Sequence, residues 1–291
     1  MKTPPPDFDP EWYSAVNPDL RSLSTLELAG HFRRFGLSEG RVCSRITGRH
    51  DLVALIEPDD QVLEIGPFTT PLVRGGGVKY FDILDGRGLL ERASRIGYPV
   101  AWNPRIDFVS PVGDLSVVEG RFDVVVGSHV IEHQPDLVRH LRDVSRILGV
   151  SGRYLLVIPD KRYCFDHFIA ESTIAGIIEA HVESRTHHAV ASIVEHSALV
   201  THNDSEEHWA GNHGRPRASE STDWVTIAMR EAVEARSSRT FVDVHAWQFT
   251  PHGFRDIIEL LLELGLSPLS VEAVYPTPRG SPEFCAVLRL A

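Results

Sequence analysis

The sequence predicts an α/β fold: a doubly wound, mostly parallel sheet with helices on both faces. Three observations carry that prediction. First, short apolar runs at 62–65, 78–82, 106–109, 122–127 and 153–158 alternate with amphipathic helical stretches. Runs that are apolar on successive residues suit strands covered on both faces. Second, the stretch 61–70 ends an apolar run in Glu64, then turns through Gly66-Pro67 into small hydroxyl residues. Such a stretch is a buried strand turning sharply under a ligand. Third, the chain closes with two more strand-like runs, 270–275 and 284–290, the second alternating through Phe284, Ala286, Leu288 and Leu290.

The elements follow in order. Residues 7–45 stand apart: Phe8-Asp9-Pro10-Glu11-Trp12-Tyr13, then Asn17-Pro18-Asp19, then Leu26, Leu28, Ala29, Phe32, Phe35 and Gly36, closed by 37–41. Asn-Pro and Gly punctuate two short helices there. A helical N-terminal appendage is therefore expected over 1–48 and the main domain over 49–291. Within the latter, 51–60 reads as a short helix capped by Asp51 and ended by Pro58. Helices are also expected over 89–96 and from Pro135, the latter with Leu137, Val138, Leu141, Val144 and Leu148 on one face. Residues 164–240 exceed the minimal sheet. They hold two helical stretches, a polar loop over 203–221 and many histidines, and form a helical lid insertion over the strand ends. A strand-like run at 241–247 would turn Asp243 and His245 to the same side. Thr250-Pro251 opens a helix through Leu264, stopped by Gly265.

Composition bounds the function. With 291 residues and 42% hydrophobic content, the chain can build one large domain and an appendage. No apolar run approaches the roughly 20 residues of a membrane span, and the first residues lack a signal-peptide core, so a cytoplasmic protein is expected. Cys43, Cys164 and Cys285 are scattered and odd in number, which indicates neither a disulfide framework nor a thiolate zinc site. A net charge of -11 disfavours nucleic acid as partner.

A glycine turn after one strand and an acid closing the next is how an α/β sheet holds a nucleoside. Glu64, Gly66 and Asp82 stand in those positions. The run 62–67 resembles the first motif of class I S-adenosylmethionine-dependent methyltransferases, with Pro67 and Thr69 where two further glycines are usual. A dinucleotide would need those glycines for its pyrophosphate, whereas the methyl donor has no phosphate. Asp114 to Asp123 tracks the pattern "DLPFPDGSFD" of the same family, and the final two strands resemble its reversed hairpin. Pro111 stands where members often carry an acid for the adenine amine, so that contact would come from backbone. Residues 7–45 are similar to a small helical module, "DPxxYxxxNPD…HFxxFGxxEGR", seen on bacterial glycosyltransferases. The pattern "DVHxWxFTP…YPTPxGSxEF" near the C-terminus looks like methyltransferases of bacterial polysaccharide biosynthesis.

The resemblance implies a Rossmann-like sheet and S-adenosyl-L-methionine as cofactor, held by Glu64, Gly66, Pro67, Asp82, Asp114, Ser128 and His129. It implies an O-methyltransferase acting on a saccharide or glycan precursor. A small phenolic or lipid-like acceptor, or a cofactor-binding adaptor without activity, are the alternatives, and self-association into a homo-oligomer is a further option. Methyl transfer to a hydroxyl needs in-line alignment and a base, and histidine is the usual base near neutrality. His133, beyond the fourth strand, is the first candidate, though "SHVIEH" could equally cap a helix. His245 and His196 come from segments that would bring the acceptor. Asp160, Tyr163, His167, Asp243 and Trp247 are the acceptor-side candidates, with Trp247 the first choice for stacking on a sugar. Asp243 and His245 with Glu195-His196 could alternatively hold a divalent ion such as Mg²⁺ against vicinal hydroxyls.

Overall fold

The computed structural model describes residues 8–36, 39, 41–238 and 242–291. Leu37, Ser38 and Gly40 of the N-terminal module, Thr240 at the lid boundary and Phe241 lie outside them.

The described chain is an α/β domain around a seven-stranded sheet of order β3-β2-β1-β4-β5-β7-β6. The strands are β1 (Val62–Ile65), β2 (Val78–Asp82), β3 (Phe108–Val109), β4 (Phe122–Ser128), β5 (Leu148–Pro159), β6 (Leu269–Val274) and β7 (Glu283–Leu290). The first five run parallel, and β7 runs antiparallel between β5 and β6. The chain leaves β1 towards β3 and returns to β4 on the other side. The crevice beyond the carboxyl ends of β1 and β4 is thus the topological switch point, where such sheets bind ligands.

The helices are α1 (Pro10–Val16), α2 (Thr25–His31), α3 (Arg49–Val53), α4 (Gly86–Ile96), α5 (Leu137–Ile147), α6 (Ile174–Val182), α7 (Val190–Leu199), α8 (Ser205–Trp209), α9 (Asp223–Ser238) and α10 (Pro251–Glu263). Successive residues of β4 and β5 serve opposite faces, as period two requires. Val125, Leu156 and Ile158 pack on Leu141 and Val144 of α5 and on Phe254 and Ile257 of α10. Val124, Val126, Leu155 and Val157 pack on Leu52 of α3. Gly127 is required where it stands. A Cβ there would lie 2.8 Å from the Tyr154 hydroxyl, itself 2.9 Å from His140 Nε2. The N-terminal segment has its own small core of Tyr13, Leu20, Leu28, Phe32 and Cys43.

Several expectations are corrected. Residues 242–248 are not a strand; among the described residues 242–249 only Phe249 pairs, in one bridge with Asp160. The edge of β5 is already taken by β7, so this segment bonds elsewhere: Ala246 and Trp247 N–H donate to the Glu132 carbonyl. The third strand shrinks to two residues at the sheet edge, while the fifth starts earlier, at Leu148. Gly48, not Asp51, occupies the N-cap of α3, although Asp51 Oδ2 accepts from Thr47 N at 2.8 Å. Among the described residues the lid region contains four α-helices instead of two. No helix among the described residues is long and apolar enough to cross a membrane.

Candidate active site

Two groups of residues meet at the switch point. The first is a corner built by the loop after β1. Glu64 is 2% exposed, and its two oxygens accept from Leu72 N at 2.7 Å and Val73 N at 2.9 Å. Burial pushes its carboxyl up to about 7. Its visible work is to fix the loop. Gly66 takes φ +68°, which glycine adopts freely, and a Cβ there would meet Val130 Cγ2 at 3.0 Å. Phe68 is held at φ +48°, a strained conformation for an aromatic residue. Asp82, closing β2, is buried; its Oδ1 accepts from Ile83 N at 2.7 Å, and burial raises its pKa. Gly66, Pro67 and Asp82 thus converge at one corner.

The second group lies beyond β4. His129 follows Ser128 at φ +54° and bonds Glu283 Oε2 through Nε2 at 2.8 Å; Glu283 also binds Arg49. These partners hold the Glu283 carboxyl down at about 2, against the opposing effect of its burial. Glu132 and His133 sit in the next turn. His133 Nδ1 donates to the Val244 carbonyl at 3.1 Å and lies 3.2 Å from Asp243 Oδ1. Burial opposes charging of His133, but Asp243 and Glu132 leave its pKa raised. His245 Nδ1 donates to Asp166 Oδ2 at 2.6 Å, and its ring meets that of His133 edge-on, centroids 4.7 Å apart. His196 follows, its ring 6.4 Å from that of His245. Asp243 ion-pairs with Arg92 of α4, whose guanidinium lies over Phe68, so the two groups are joined. His133, His245, His196 and Asp243 are therefore brought together as a cluster, without the expected strand.

Other candidates are corrected. Asp114 caps the turn Leu115–Val117, accepting from Ser116 N at 2.8 Å, and pairs with Arg139, so its carboxylate is committed. Asp160 is fully buried and saturated by Arg162 and Thr277. Trp247 is 6% exposed within the core and donates to the Gln134 carbonyl, leaving no face for a sugar. The aromatic pair at the lid is instead Tyr163 on Trp209, stacked 3.8 Å apart. His167 stacks on His213 and on His208. Glu195 is half-buried, and burial raises its pKa. Sequence reasoning missed Asp166 and Glu283. "Phe165-Asp166-His167" just after β5 was the only available signal for the first; Glu283 begins an ordinary strand.

Fold and corner together define a doubly wound α/β domain whose candidate ligand site is the crevice at the β1–β4 switch. No family model matches the sequence, and no curated protein matches it. Among solved structures, the chain is similar to the mitomycin 7-O-methyltransferase MmcR, with 14% identity over 97% of this chain and 60% of that one and a TM-score of 0.39. It is similar to the CcbJ methyltransferase of Streptomyces caelestis, with 12% identity over 84% and 89% of the two chains and a TM-score of 0.42. It is also similar to a Rhodobacter sphaeroides protein ascribed to zinc-dependent alcohol dehydrogenases, with 15% identity over 87% and 92% and a TM-score of 0.44. The chain spans 60% of the length of the first of these. Likeness at this level gives no ground for function, which rests on the residues of the site.

Proposed function

We propose that this protein is an S-adenosyl-L-methionine-dependent O-methyltransferase whose acceptor is a hydroxyl of a saccharide or glycan precursor. The observation that carries the reading is the junction, across β1, β2 and β4, of the Gly66–Asp82 corner with a histidine cluster. The corner suits the cofactor: Gly66 makes the tight turn at φ +68°, and Asp82 keeps acceptor capacity for ribose hydroxyls. Ser128 and His129 border the same crevice.

S-adenosyl-L-methionine bound there would supply a methyl group on a sulfonium, with sulfur as the leaving group that keeps the electron pair. This chain must orient the hydroxyl and accept its proton. His133 and His245 each have Nδ1 engaged by a carbonyl or carboxylate, which leaves Nε2 as their accepting nitrogen. His196 Nδ1 has no hydrogen-bond partner among the described residues, and burial and then the neighbouring His245 lower its pKa. His196 is therefore neutral near pH 7 and takes the proton. The rim of imidazoles and carboxylates favours a polyhydroxyl acceptor over a phenolic or lipid-like one. The likeness of residues 7–45 to a glycosyltransferase module points the same way.

Calorimetric titration with S-adenosylmethionine, followed by methyl transfer from labelled cofactor to a glycan panel, tests the reading. Binding and labelled glycan product are expected, and His196→Ala should lower turnover by about 10²–10⁴-fold while cofactor affinity holds. Failure to bind the cofactor would remove the proposal.

A further inference from the structure

We propose that Glu132, His133 and His245 form a site for a divalent transition-metal ion on which two adjacent hydroxyls of the acceptor chelate. The acceptor half of this inference rests on the function proposed above; the metal half does not. One ligand atom from each of the three residues lies within 4.8 Å of the others. Both imidazoles are gripped from behind, His245 by Asp166 at 2.6 Å and His133 by the Val244 carbonyl at 3.1 Å. With Nδ1 donating in each, both Nε2 atoms keep a lone pair, which is how outer-shell acceptors prepare histidine ligands. The rings stand at 86° to one another, so their in-plane lone pairs can converge on one point from different directions.

Glu132 supplies the negative charge. It is 1% exposed, and neither carboxylate oxygen has a hydrogen-bond partner among the described residues. His129 Nδ1 and His133 Nε2 lie 3.5 and 3.8 Å from Oε1, too far to satisfy it. A buried carboxylate is costly unless paired or metal-bound. Two imidazoles and one carboxylate with open positions suit Mn²⁺, Fe²⁺, Co²⁺ or Zn²⁺ better than Mg²⁺. The open positions accept two neighbouring sugar oxygens, and the ion acidifies the hydroxyl that becomes methylated, its proton leaving to His196. A second histidine group, His167, His208 and His213, lacks this geometry: His167 and His213 are stacked at 3.7 Å and 10°, so their lone pairs cannot meet in one ion.

The test uses the full chain, stripped with chelator and titrated with Mn²⁺ under electron paramagnetic resonance and with Co²⁺ under visible absorption. One ion per chain is expected, with imidazole nitrogen couplings in pulsed spectra of the unmutated protein. Glu132→Gln and His245→Gln should weaken binding at least tenfold, Asp166→Asn by about 10–100-fold, and His213→Gln should leave it unchanged. Absence of binding or of nitrogen couplings in the unmutated protein would overturn the site, as would loss of binding in His213→Gln alone. Methyl transfer undiminished by chelator would also overturn it while leaving the proposed function intact. Metal binding without affinity for S-adenosylmethionine would do the reverse.

Discussion

At the scale of the residue, Glu64 shows how a motif acid can serve a ligand indirectly. Its carboxylate holds two backbone N–H groups of the loop that ends at Val73. Glu64→Gln turns one acceptor into a donor facing a donor. Such a mismatch costs about 1–3 kcal/mol when buried. Urea unfolding should show a loss of that size, and calorimetry a cofactor affinity at least tenfold weaker. Unchanged affinity would dissociate the loop from the cofactor. The motif residues Glu64, Gly66 and Asp82 were legible in the sequence because they are local to strand ends. The partnership of His245 with Asp166 was not, because 79 residues separate them.

At the scale of the element, the reversed β7 decides more than its own pairing. By occupying the edge of β5 it denies a strand partner to residues 242–248, which are drawn to the Glu132 carbonyl instead. That detour carries Asp243 and His245 to His133. The β4–β5 contact is equally exacting: Gly127 leaves room for the Tyr154 hydroxyl, and His140 Nε2 at 2.9 Å keeps that hydroxyl in place. Gly127→Ala should destabilise by about 1–3 kcal/mol through overpacking. Adding Tyr154→Phe should recover part of the loss, and a double-mutant cycle in urea would read the coupling. Full additivity would show that the two side chains do not compete.

Across the whole molecule, buried titratable groups set the acid limit of stability. His140 is 6% exposed, and burial holds its pKa down at about 4. Above pH ~6.5 it is neutral in both folded and unfolded chains. Between 6.5 and 4 the unfolded chain gains a proton that the folded chain refuses, so stability falls as pH falls, by about 3 kcal/mol over the window. Glu283, lowered to about 2, stabilises the fold above its unfolded pKa and loses that contribution at still lower pH. Glu64, raised to about 7 by burial, contributes with the opposite sign as pH falls. The His140 contribution is therefore read as the difference in urea midpoint between the unmutated protein and His140→Gln. That difference should shift against the unmutated protein as pH falls from 6.5 towards 4. A pH-independent difference between the two proteins would show that His140 is not buried in solution.

The sequence alone determined the alternation of strands and helices, the glycine turn and the acids closing β1 and β2. It did so because each depends on a few neighbouring residues: period, turn chemistry and capping act over one element. Thr250, Pro251 and Gly265 bounded α10 for the same reason. Tertiary structure decided which long-range partners met. Trp247 was taken for a sugar platform and lies in the core; Asp160 was taken for an acceptor residue and is consumed by Arg162. The histidines divided into a stacked group in the lid, His167, His208 and His213, and a pair outside it, His133 and His245, beside Glu132. Burial and mutual orientation settle such outcomes, and both arise only when segments far apart in the chain share one sheet edge.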